Sequence, residues 1–371
     1  MNTTIERETL LRALSRVQGV VDKRHAMAVL TNVLLEAEDD QLRLIGSDIE
    51  VSLAQRIHAK VAEGGRAAVS ARTLFEIVRE STSDDVTLKL LDNQWLEVSA
   101  GNSTFKLMGV QPDEHPGMPS AVTNGSAGAK VELGAGDLSE MIRKTVFAVS
   151  TDDTRSNLAG VYLEPNADGD GLRMVATDGH RLAMIDRQVA GGKLEAGIIL
   201  PRKGLAEVGK MLPEETGSVT LTMVGNEAQI EIGDALLSMR LVEGTFPDYR
   251  RVIPDETPRE VCADRDDLLR TLRRVSILSS ERARGVRFKL LEGALEVSTN
   301  NPDMGEATEQ LPIDYSGDSI EVGFNSKYLL DVLGVFEEGC VVEIGLGDEL
   351  SPGVIRGTDK QYCYVVMPMR I

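Results

Sequence analysis

Residues 8–17 read ETLLRALSRV, which places apolar side chains at helical spacing with charged residues between them. Similar stretches, DLSEMIRKTV and DLLRTLRRV, occupy residues 137–146 and 267–275. Leu10 and its two counterparts are separated by 128 and then 130 residues. Because self-similarity at a fixed period indicates a duplicated structural unit, the sequence predicts three similar units in one chain.

A second amphipathic helix follows in each predicted unit, at residues 70–78, 201–208 and 325–333, with its first leucines 131 and 124 residues apart. Alternating strand patterns lie between and after the helices, for example at residues 41–46 and 86–90. Chance similarity among amphipathic helices is the alternative, but several elements recur in the same order. The predicted fold class is therefore α+β, with three helix-strand-helix-strand repeats.

Two segments rich in turn-forming residues divide the repeats. Residues 109–130 are crowded with Gly, Pro, Ser and Asn, and residues 244–258 contain a second such cluster. The predicted domains are residues 1–127, 128–255 and 256–371.

Composition excludes several classes of protein. Of 371 residues, 42% are hydrophobic and 27% charged, and no apolar run approaches the ~20 residues of a membrane span. The N-terminus lacks the basic start and apolar stretch of a secretory signal, so we expect a cytoplasmic protein without membrane contact.

Known chemical motifs are also missing from the sequence. Cys262, Cys340 and Cys363 are odd in number and lack CxxC spacing, and the four histidines are scattered singly. Phosphate-loop, nucleophile-elbow and dinucleotide motifs do not occur. We therefore expect no metal, no cofactor and no enzymatic activity.

The net charge of −19 argues against nucleic-acid binding unless positive charge is segregated. Six helical windows together carry +4, so the remaining residues carry −23. Helices lining one surface would offer a weakly basic face, while the acidic remainder would repel DNA elsewhere. The alternative is that Lys and Arg only decorate solvated helix faces. The windows are residues 7–24, 69–82, 137–155, 201–213, 266–284 and 325–338.

Four separated motifs resemble those of the bacterial DNA polymerase III beta subunit family, the sliding clamps. They are ATDGHRLA at residues 176–183, PRKG at 201–204, FPDYRRV at 246–252 and YVVMPMRI at 364–371. The resemblance covers the whole chain and implies the DNA clamp fold. In that family a head-to-tail homodimer closes a six-domain ring around duplex DNA, with helices inside and sheets outside, after loading by an ATP-driven clamp loader. A closed ring holds DNA without sequence specificity and without tight contacts, which answers the charge objection.

The resemblance further implies a peptide-binding pocket for the DNA polymerase III alpha subunit, the clamp loader and other proteins with clamp-binding motifs. Its apolar Leu, Val, Pro and Met side chains make a groove that can repack around different ligands. The matching residues are Leu158, Thr177, Gly179, His180, Arg181, Leu182, Pro247, Arg251, Val252, Asn325, Tyr328, Val365, Met367, Pro368, Met369 and Arg370.

Two further sets of residues are carried over from the family. The expected DNA contacts are Arg24, Arg72, Arg155, Arg202 and Lys203. The expected dimer interface joins an edge strand of the first domain to the third domain of the other subunit, through Phe105 and Leu107 on one side and Ile277 and Leu278 on the other.

The middle repeat differs from the other two at residues 179–182, where it reads GHRL. A broken symmetry of this kind favours a specialised task for His180. The alternatives are a tight turn with a structural histidine, or a catalytic pair of His180 and Asp178 that lacks a nucleophile motif. Likewise, residues 365–369 can be read as a terminal core strand.

One residue departs from the family pattern. Ala283 occupies a pocket-lining position where relatives carry a bulky aromatic residue, which predicts a roomier pocket with altered peptide preference. The chief rival for the function as a whole is a three-repeat peptide-binding scaffold that does not encircle DNA.

Overall fold

The chain folds into helices and antiparallel sheets that group into two compact units. The computed structural model describes residues 1–21, 27–119, 128–152, 154–280 and 284–370. The first unit contains Met1–Ser139, Val189–Ala196 and Leu200–Leu241. The second contains Glu140–Gln188, Gly197–Ile199 and Val242–Ile371. The three predicted domain boundaries stay predictions, because the two compact units follow the sheets that neighbouring repeats share and not the repeats themselves.

The first unit holds three helices, α1 (Arg7–Val20), α2 (Ala71–Glu80) and α4 (Arg202–Met211). Its strands are β1 (Asn2–Glu6), β2 (Asn32–Glu38), β3 (Gln41–Ser47), β4 (Val51–His58), β5 (Lys60–Glu63), β6 (Gly65–Ser70), β7 (Asp85–Leu90), β8 (Leu96–Ala100), β9 (Ser103–Leu107), β10 (Gly109–Val110), β11 (Lys130–Gly134), β15 (Gly191–Gly192), β17 (Ser218–Val224), β18 (Glu227–Ile232) and β19 (Ala235–Arg240). One five-stranded sheet has the order β5-β1-β7-β8-β9, and one ten-stranded sheet the order β10-β6-β2-β3-β4-β19-β18-β17-β11-β15.

The second unit holds α5 (Arg265–Val275) and α6 (Ser326–Val335), and the chain enters it along α3 (Ala135–Thr145). Its strands are β12 (Gly160–Pro165), β13 (Gly171–Thr177), β14 (Arg181–Gln188), β20 (Arg259–Asp264), β21 (Gly285–Leu291), β22 (Ala294–Asn301), β23 (Gly305–Pro312), β24 (Ile320–Asn325), β25 (Val341–Leu346), β26 (Gly353–Arg356), β27 (Tyr362–Val366) and the first half of β16 (Ile198–Pro201), whose last two residues belong to the first unit. They form an eight-stranded sheet, β16-β12-β13-β14-β27-β26-β25-β20, and a four-stranded sheet, β23-β22-β21-β24.

The predicted helices of all three repeats are confirmed, and local chemistry explains where several begin. Side-chain oxygens of Ser70, Asp264 and Asn325 accept hydrogen bonds from backbone N–H groups in the first turns of α2, α5 and α6. Such caps satisfy donors that a helix leaves unpaired. Leu10 and Leu14 are fully buried along α1, as the helical spacing predicts.

Strand pairing continues the sheets across the predicted repeat boundaries. In the first unit, β4 of the first repeat pairs with β19 of the second, with Leu53 opposite Leu237. In the second unit, β14 of the second repeat pairs with β27 of the third, with Ala183 opposite Tyr364. Each internal junction is therefore an antiparallel ladder of backbone hydrogen bonds.

The two segments predicted as linkers contain packed structure. Gly109 and Val110 form β10 on the edge of β6, and Phe246 and Tyr249 are buried. Gly, Pro and Asn signals correctly excluded long elements from these segments. They did not reveal that aromatic side chains from the second segment fill a core.

A closed network of four charged side chains lies in the second unit. Lys144 Nζ is 2.7 Å from Glu140 Oε1 and 3.1 Å from Asp359 Oδ2. Arg187 Nη2 lies 2.6 Å from Glu140 Oε2 and 2.5 Å from Asp359 Oδ2. Burial raises the pKa of Asp359, but hydrogen bonds from Arg187, the Gln361 backbone and Lys144 outweigh it, so the net pKa lies below the ordinary 3.8.

Replacement of Asp359 by Asn is expected to lower the free energy of unfolding at pH 7 by about 1–2 kcal/mol, because Lys144 and Arg187 lose a charged acceptor. A carboxylate whose pKa is lowered by folding stabilises the folded state fully at pH values above its unfolded-state pKa. That contribution disappears as the pH falls through the folded-state value. The difference between wild type and D359N should therefore begin to shrink as the pH falls to the unfolded-state value of about 3.8, and should vanish only below the lower folded-state pKa. Urea titrations across this pH range measure it, with the exposed Asp314→Asn as control; a difference independent of pH would contradict the account.

Candidate functional site

The sharp turn between β13 and β14, residues 177–182, is held by its own side chains and is called the pocket turn below. Thr177 Oγ1 donates to the carbonyl of Arg181 at 2.6 Å and accepts from the N–H of Gly179 at 3.1 Å. Asp178 Oδ1 accepts from the N–H groups of His180 and Arg181 at 2.9 and 3.0 Å. Gly179 has φ +88°, which favours glycine. The turn leaves His180 exposed while Thr177 and Leu182 are buried.

The segment after β27, residues 367–370, is fixed beside the pocket turn and is called the C-terminal tail. The N–H of Met367 donates to the carbonyl of His180 at 2.8 Å, and the N–H of Met369 donates to the carbonyl of Gly323 at 2.9 Å. Pro368, between them, has no N–H to donate. Two backbone bonds thus hold the tail between the pocket turn and β24, with Met367 36% exposed.

Apolar side chains beneath the pocket turn form one cluster. Leu158, Leu182 and Val365 are at most 8% exposed and pack together with Phe246 and Tyr249. Four segments of the chain, the turn that carries Leu158, β13–β14, the 246–252 stretch and β27, therefore meet in a single core. This core is the floor of the candidate site.

A stack of planar groups forms one side of the site. The Arg181 guanidinium lies over the rings of Phe147 and Tyr328, at 5.4 and 4.5 Å from their centroids. The imidazole of His180 is 6.5 Å from the Tyr328 ring at an interplanar angle of 17°. We call these four residues the Arg181 stack. Burial raises the pKa of Tyr328, with Asp178 adding to the effect, so its phenol stays neutral at physiological pH.

Most residues expected to line the pocket lie in these elements, and the rest adjoin them in the chain. Pro247, Arg251 and Val252 are exposed around the 3-10 turn Tyr249–Val252, where Arg251 Nε donates to Asp248 at 2.8 Å. Asn325 caps α6, and Arg370 is exposed at the end of the tail. Ala283 lies outside the described residues, and its effect on peptide preference stays a prediction.

The basic residues expected at DNA lie in different environments. Arg72 is exposed on α2 and pairs with Glu76 at 2.8 Å, and Arg202 is exposed at the start of α4. Lys203 Nζ donates to the carbonyl of Val20 at 3.0 Å and forms an ion pair with Asp48. Lys203 is thus engaged in holding α4 to the end of α1. Arg24 lies outside the described residues.

Arg155 contacts the pocket turn. Its Nη1 donates to the carbonyl of Asp178 at 3.2 Å, and a Cβ added to Gly179 would lie 2.9 Å from the same atom. A residue expected at DNA therefore adjoins the candidate peptide site.

Sequence analysis missed several groups on both surfaces. Phe147 and Asp331 hold Arg181, and neither carried a motif. In the first unit, Arg12, Arg79 and Lys210 line a cavity of about 490 Å³ among α1, α2 and α4. The helical windows pointed to these helices, but charge counting does not say which side chains face outward.

The residues expected at a dimer interface are exposed at element ends. Phe105 on β9 is 40% exposed, and Leu107 ends the same strand half-buried. Ile277 is 69% exposed in the 3-10 turn Ser276–Leu278, which follows α5 and also carries Leu278. A cavity of about 590 Å³ beside Phe105 is lined by Thr73, Ile77 and neighbouring residues of the first unit.

Neither a metal centre nor a membrane span emerges from the described ranges. Among them, no group of three or more His, Cys, Asp or Glu side chains is placed to hold a metal ion. No described helix is long and apolar enough to cross a bilayer.

Comparison with known proteins gives one consistent result. Family models for the N-terminal, central and C-terminal domains of the DNA polymerase III beta subunit match residues 1–119, 132–248 and 250–370. A beta sliding clamp from Pseudomonas aeruginosa is 39% identical over 375 residues, covering 100% of both chains. One from Caulobacter vibrioides is 35% identical over 377 residues, again covering 100% of both.

Solved structures agree over the same length. A sliding clamp from Bartonella birtlesii bound to griselimycin has a TM-score of 0.94 at 33% identity, with 100% of both chains covered. One from Pseudomonas aeruginosa bound to griselimycin has a TM-score of 0.93 at 37% identity, also with 100% of both covered. The α+β architecture is therefore the DNA clamp fold.

These matches extend over all three repeats and over the elements that build the site. The chain belongs to the DNA polymerase III beta subunit family, and its function is that of a DNA sliding clamp that binds partners.

Proposed function

We propose that two copies of the chain join head to tail, encircle duplex DNA and tether proteins through the pocket of the second unit. The observation that carries the proposal is the state of two edge strands. Strands β9 and β23 each lie at the edge of a sheet. By order within the repeats, β9 corresponds to β19 and β27, and β23 corresponds to β4 and β14. Those four strands are the ones that pair at the two internal junctions. Unpaired edges invite strand pairing, and a second copy offers the complementary edge.

Strand register supports this equivalence for β9. Phe105 lies two residues after Ser103, the first paired residue of the β8–β9 turn. Leu237 lies two residues after Ala235 at the corresponding β18–β19 turn. Because Leu237 is opposite Leu53 of β4, Phe105 is expected opposite the residue of β23 that corresponds to Leu53.

That residue follows from the preceding strands. In the first repeat Leu34 pairs with Ala68, two residues before Ser70, the N-cap of α2. In the third repeat Arg287 pairs with Gly323, two residues before Asn325, the N-cap of α6. Leu34 and Arg287 therefore occupy equivalent positions. Following the pairs from strand to strand gives two matching series, Leu34, Ile45, Ala54 and Arg287, Ser298, Thr308. Ala307 therefore corresponds to Leu53 and is expected opposite Phe105 of a second copy.

The deduced register brings compatible side chains together. Phe105 faces Ala307 in the same way as Tyr364 faces Ala183 at an internal junction. One step along, Lys106 faces Glu306, an opposite-charge pair of the kind that stabilises adjacent strands. Ile277 and Leu278 follow α5 and supply apolar side chains for the cavity beside Phe105.

The pocket turn, the C-terminal tail and the Arg181 stack are proposed to bind short peptides with apolar anchors. The binding of griselimycin by two sliding clamps of similar sequence supports a ligand of this kind. The expected partners are the DNA polymerase III alpha subunit, the clamp loader and other proteins with a clamp-binding motif. Each apolar anchor contributes roughly 1.5–3 kcal/mol before ordering costs, so partners should exchange readily. We assign Arg155 to this pocket.

DNA contact is proposed to be diffuse and sequence-independent. Arg72 and Arg202 are exposed at helix starts, and Arg12, Arg79 and Lys210 add positive charge in the cavity among α1, α2 and α4. Lys203 is proposed to fix α4 to α1, because its charge is already paired with Asp48. Weak contacts are sufficient when escape requires a ring interface to open, and the protein itself then needs no catalytic chemistry. Because the proposed substrate is chromosomal DNA, we expect the protein to act in the cytoplasm.

Retention on closed DNA tests the proposal. The chain is loaded onto nicked circular plasmid with its clamp loader and ATP, and bound protein is measured after gel filtration before and after linearisation. A sliding ring stays on the circle and leaves the linear form. Equal retention on both forms would favour direct DNA adhesion, and absence from both would favour the peptide-binding scaffold.

A further inference from the structure

We propose that Asp331 is a positioning residue of the peptide pocket, which holds Arg181 under the ring of Tyr328 without touching the ligand. This inference rests on the proposed function, because it concerns one side of that pocket. It adds a role for a side chain outside the family-derived pocket residues.

The edges of the Arg181 guanidinium are occupied by three acceptors. Nε donates to Asp178 Oδ2 at 3.0 Å, Nη1 to Asp331 Oδ2 at 2.6 Å and Nη2 to the carbonyl of Phe147 at 2.6 Å. The side chain is only 5% exposed. A buried guanidinium needs such acceptors, and charge-assisted bonds to carboxylates are the strongest of them. The plane of the group is thereby fixed from several directions.

Two aromatic rings also contact the same guanidinium. The guanidinium carbon of Arg181 is 5.4 Å from the centroid of the Phe147 ring and 4.5 Å from the centroid of the Tyr328 ring. His180 stacks on Tyr328 in turn. The orientation of Arg181 therefore sets the positions of Tyr328 and His180, which are both expected to contact the ligand.

Asp331 differs from Asp178 in the element that carries it. Asp178 belongs to the pocket turn and already accepts two backbone N–H groups there. Asp331 lies on α6, three residues after Tyr328 and thus on the same helix face. Its bond to Arg181 ties α6 to the pocket turn, so it sets the distance between Tyr328 and the turn that carries His180. Lys327 Nζ, 3.1 Å from Asp331, shares the carboxylate charge.

Asp331→Asn tests the inference because it preserves the shape and a carbonyl acceptor while removing the charge. Griselimycin is the probe, and its Kd is measured by isothermal titration calorimetry on the full chain. The variant is expected to bind about 5- to 10-fold more weakly, from a weaker Arg181 bond and a less ordered ring stack. Lys327→Met, which removes the other cation at Asp331, is expected to leave the Kd unchanged.

A double-mutant cycle separates positioning from general support. If Asp331 acts through Tyr328, then Asp331→Asn should have no further effect on Kd in a Tyr328→Leu background. Equal losses in both backgrounds, or an unchanged Kd in D331N itself, would overturn the inference. If the unsubstituted chain does not bind griselimycin, the proposed pocket is wrong, and the inference falls with it. Thermal unfolding of each variant shows that the fold is retained.

Discussion

Phe105→Asp is expected to convert the proposed dimer into monomers. Phe105 is 40% exposed in the single chain and would become buried against a second copy. Because only about two fifths of the side chain remains to be buried, this contact is worth roughly 0.6–1.2 kcal/mol, and a head-to-tail dimer contains it twice. The dissociation constant should therefore rise roughly ten- to sixtyfold from the lost contact alone, and further because the new carboxylate is costly to bury.

Sedimentation equilibrium across a concentration series measures this change. Leu350→Asp is the matched control, because Leu350 is 70% exposed in a loop that belongs to neither β9 nor β23. The F105D chain should also lose retention on circular DNA while still binding griselimycin. A dimer of undiminished affinity in F105D would contradict the strand-edge interface.

The register itself is tested by reversing one charge pair. Lys106→Glu alone places two acidic residues opposite each other at the proposed interface and should weaken the dimer. Adding Glu306→Lys should restore it, since opposite charges then face each other again. Failure of the second substitution to rescue the first would mean that the strands pair in another register.

Gly179→Ile is expected to abolish one subsite of the pocket without unfolding the chain. A Cβ at this position meets Arg155 Nη1 at 2.9 Å, so a branched side chain displaces Arg155 and fills space beside His180. Losing one apolar anchor costs roughly 1.5–3 kcal/mol, which predicts about 10- to 100-fold weaker griselimycin binding. Calorimetry gives the Kd, and sedimentation should show an unchanged dimer.

The first repeat indicates that the turn tolerates this substitution. Ile49 occupies the matching place with φ +80°. Asp48 Oδ1 accepts from the N–H groups two and three residues further on, as Asp178 does. A left-handed L-residue costs about 1–2 kcal/mol, which is affordable in a folded domain. Ile49→Gly is the control and should leave griselimycin binding unchanged. Unaltered binding in Gly179→Ile would show that the pocket turn does not border the ligand.

Much of the fold was predictable because helical periodicity depends on local sequence. Apolar spacing around Leu10, Leu138 and Leu268 predicted α1, α3 and α5 within a few residues. Sheet partners were not predictable in the same way, because strand pairing joins residues far apart in the chain. Nothing near Leu53 indicates that its neighbour is Leu237.

The candidate site shows the same division. Motif resemblance led to the pocket turn and the tail, whose backbone bond joins Met367 to His180. It did not reveal Asp331 or Phe147, because their role depends on where a buried guanidinium finds acceptors and rings. Lys203 and Arg155 show the converse, since basic side chains expected at DNA already have hydrogen-bond or ion-pair partners within the fold.

The sharing of sheets between repeats also determines which interface of the proposed dimer opens when the ring is pulled apart. Each chain of the proposed dimer contains two internal junctions between repeats, which makes four in all. The two sides of each internal junction stay connected by the polypeptide even if the hydrogen bonds between its strands break. Only the two places where β9 meets β23 have no such tether. An opening motor therefore needs to rupture one short ladder, and substitutions in these two strands should tune the lifetime of the closed state while leaving each subunit's stability untouched.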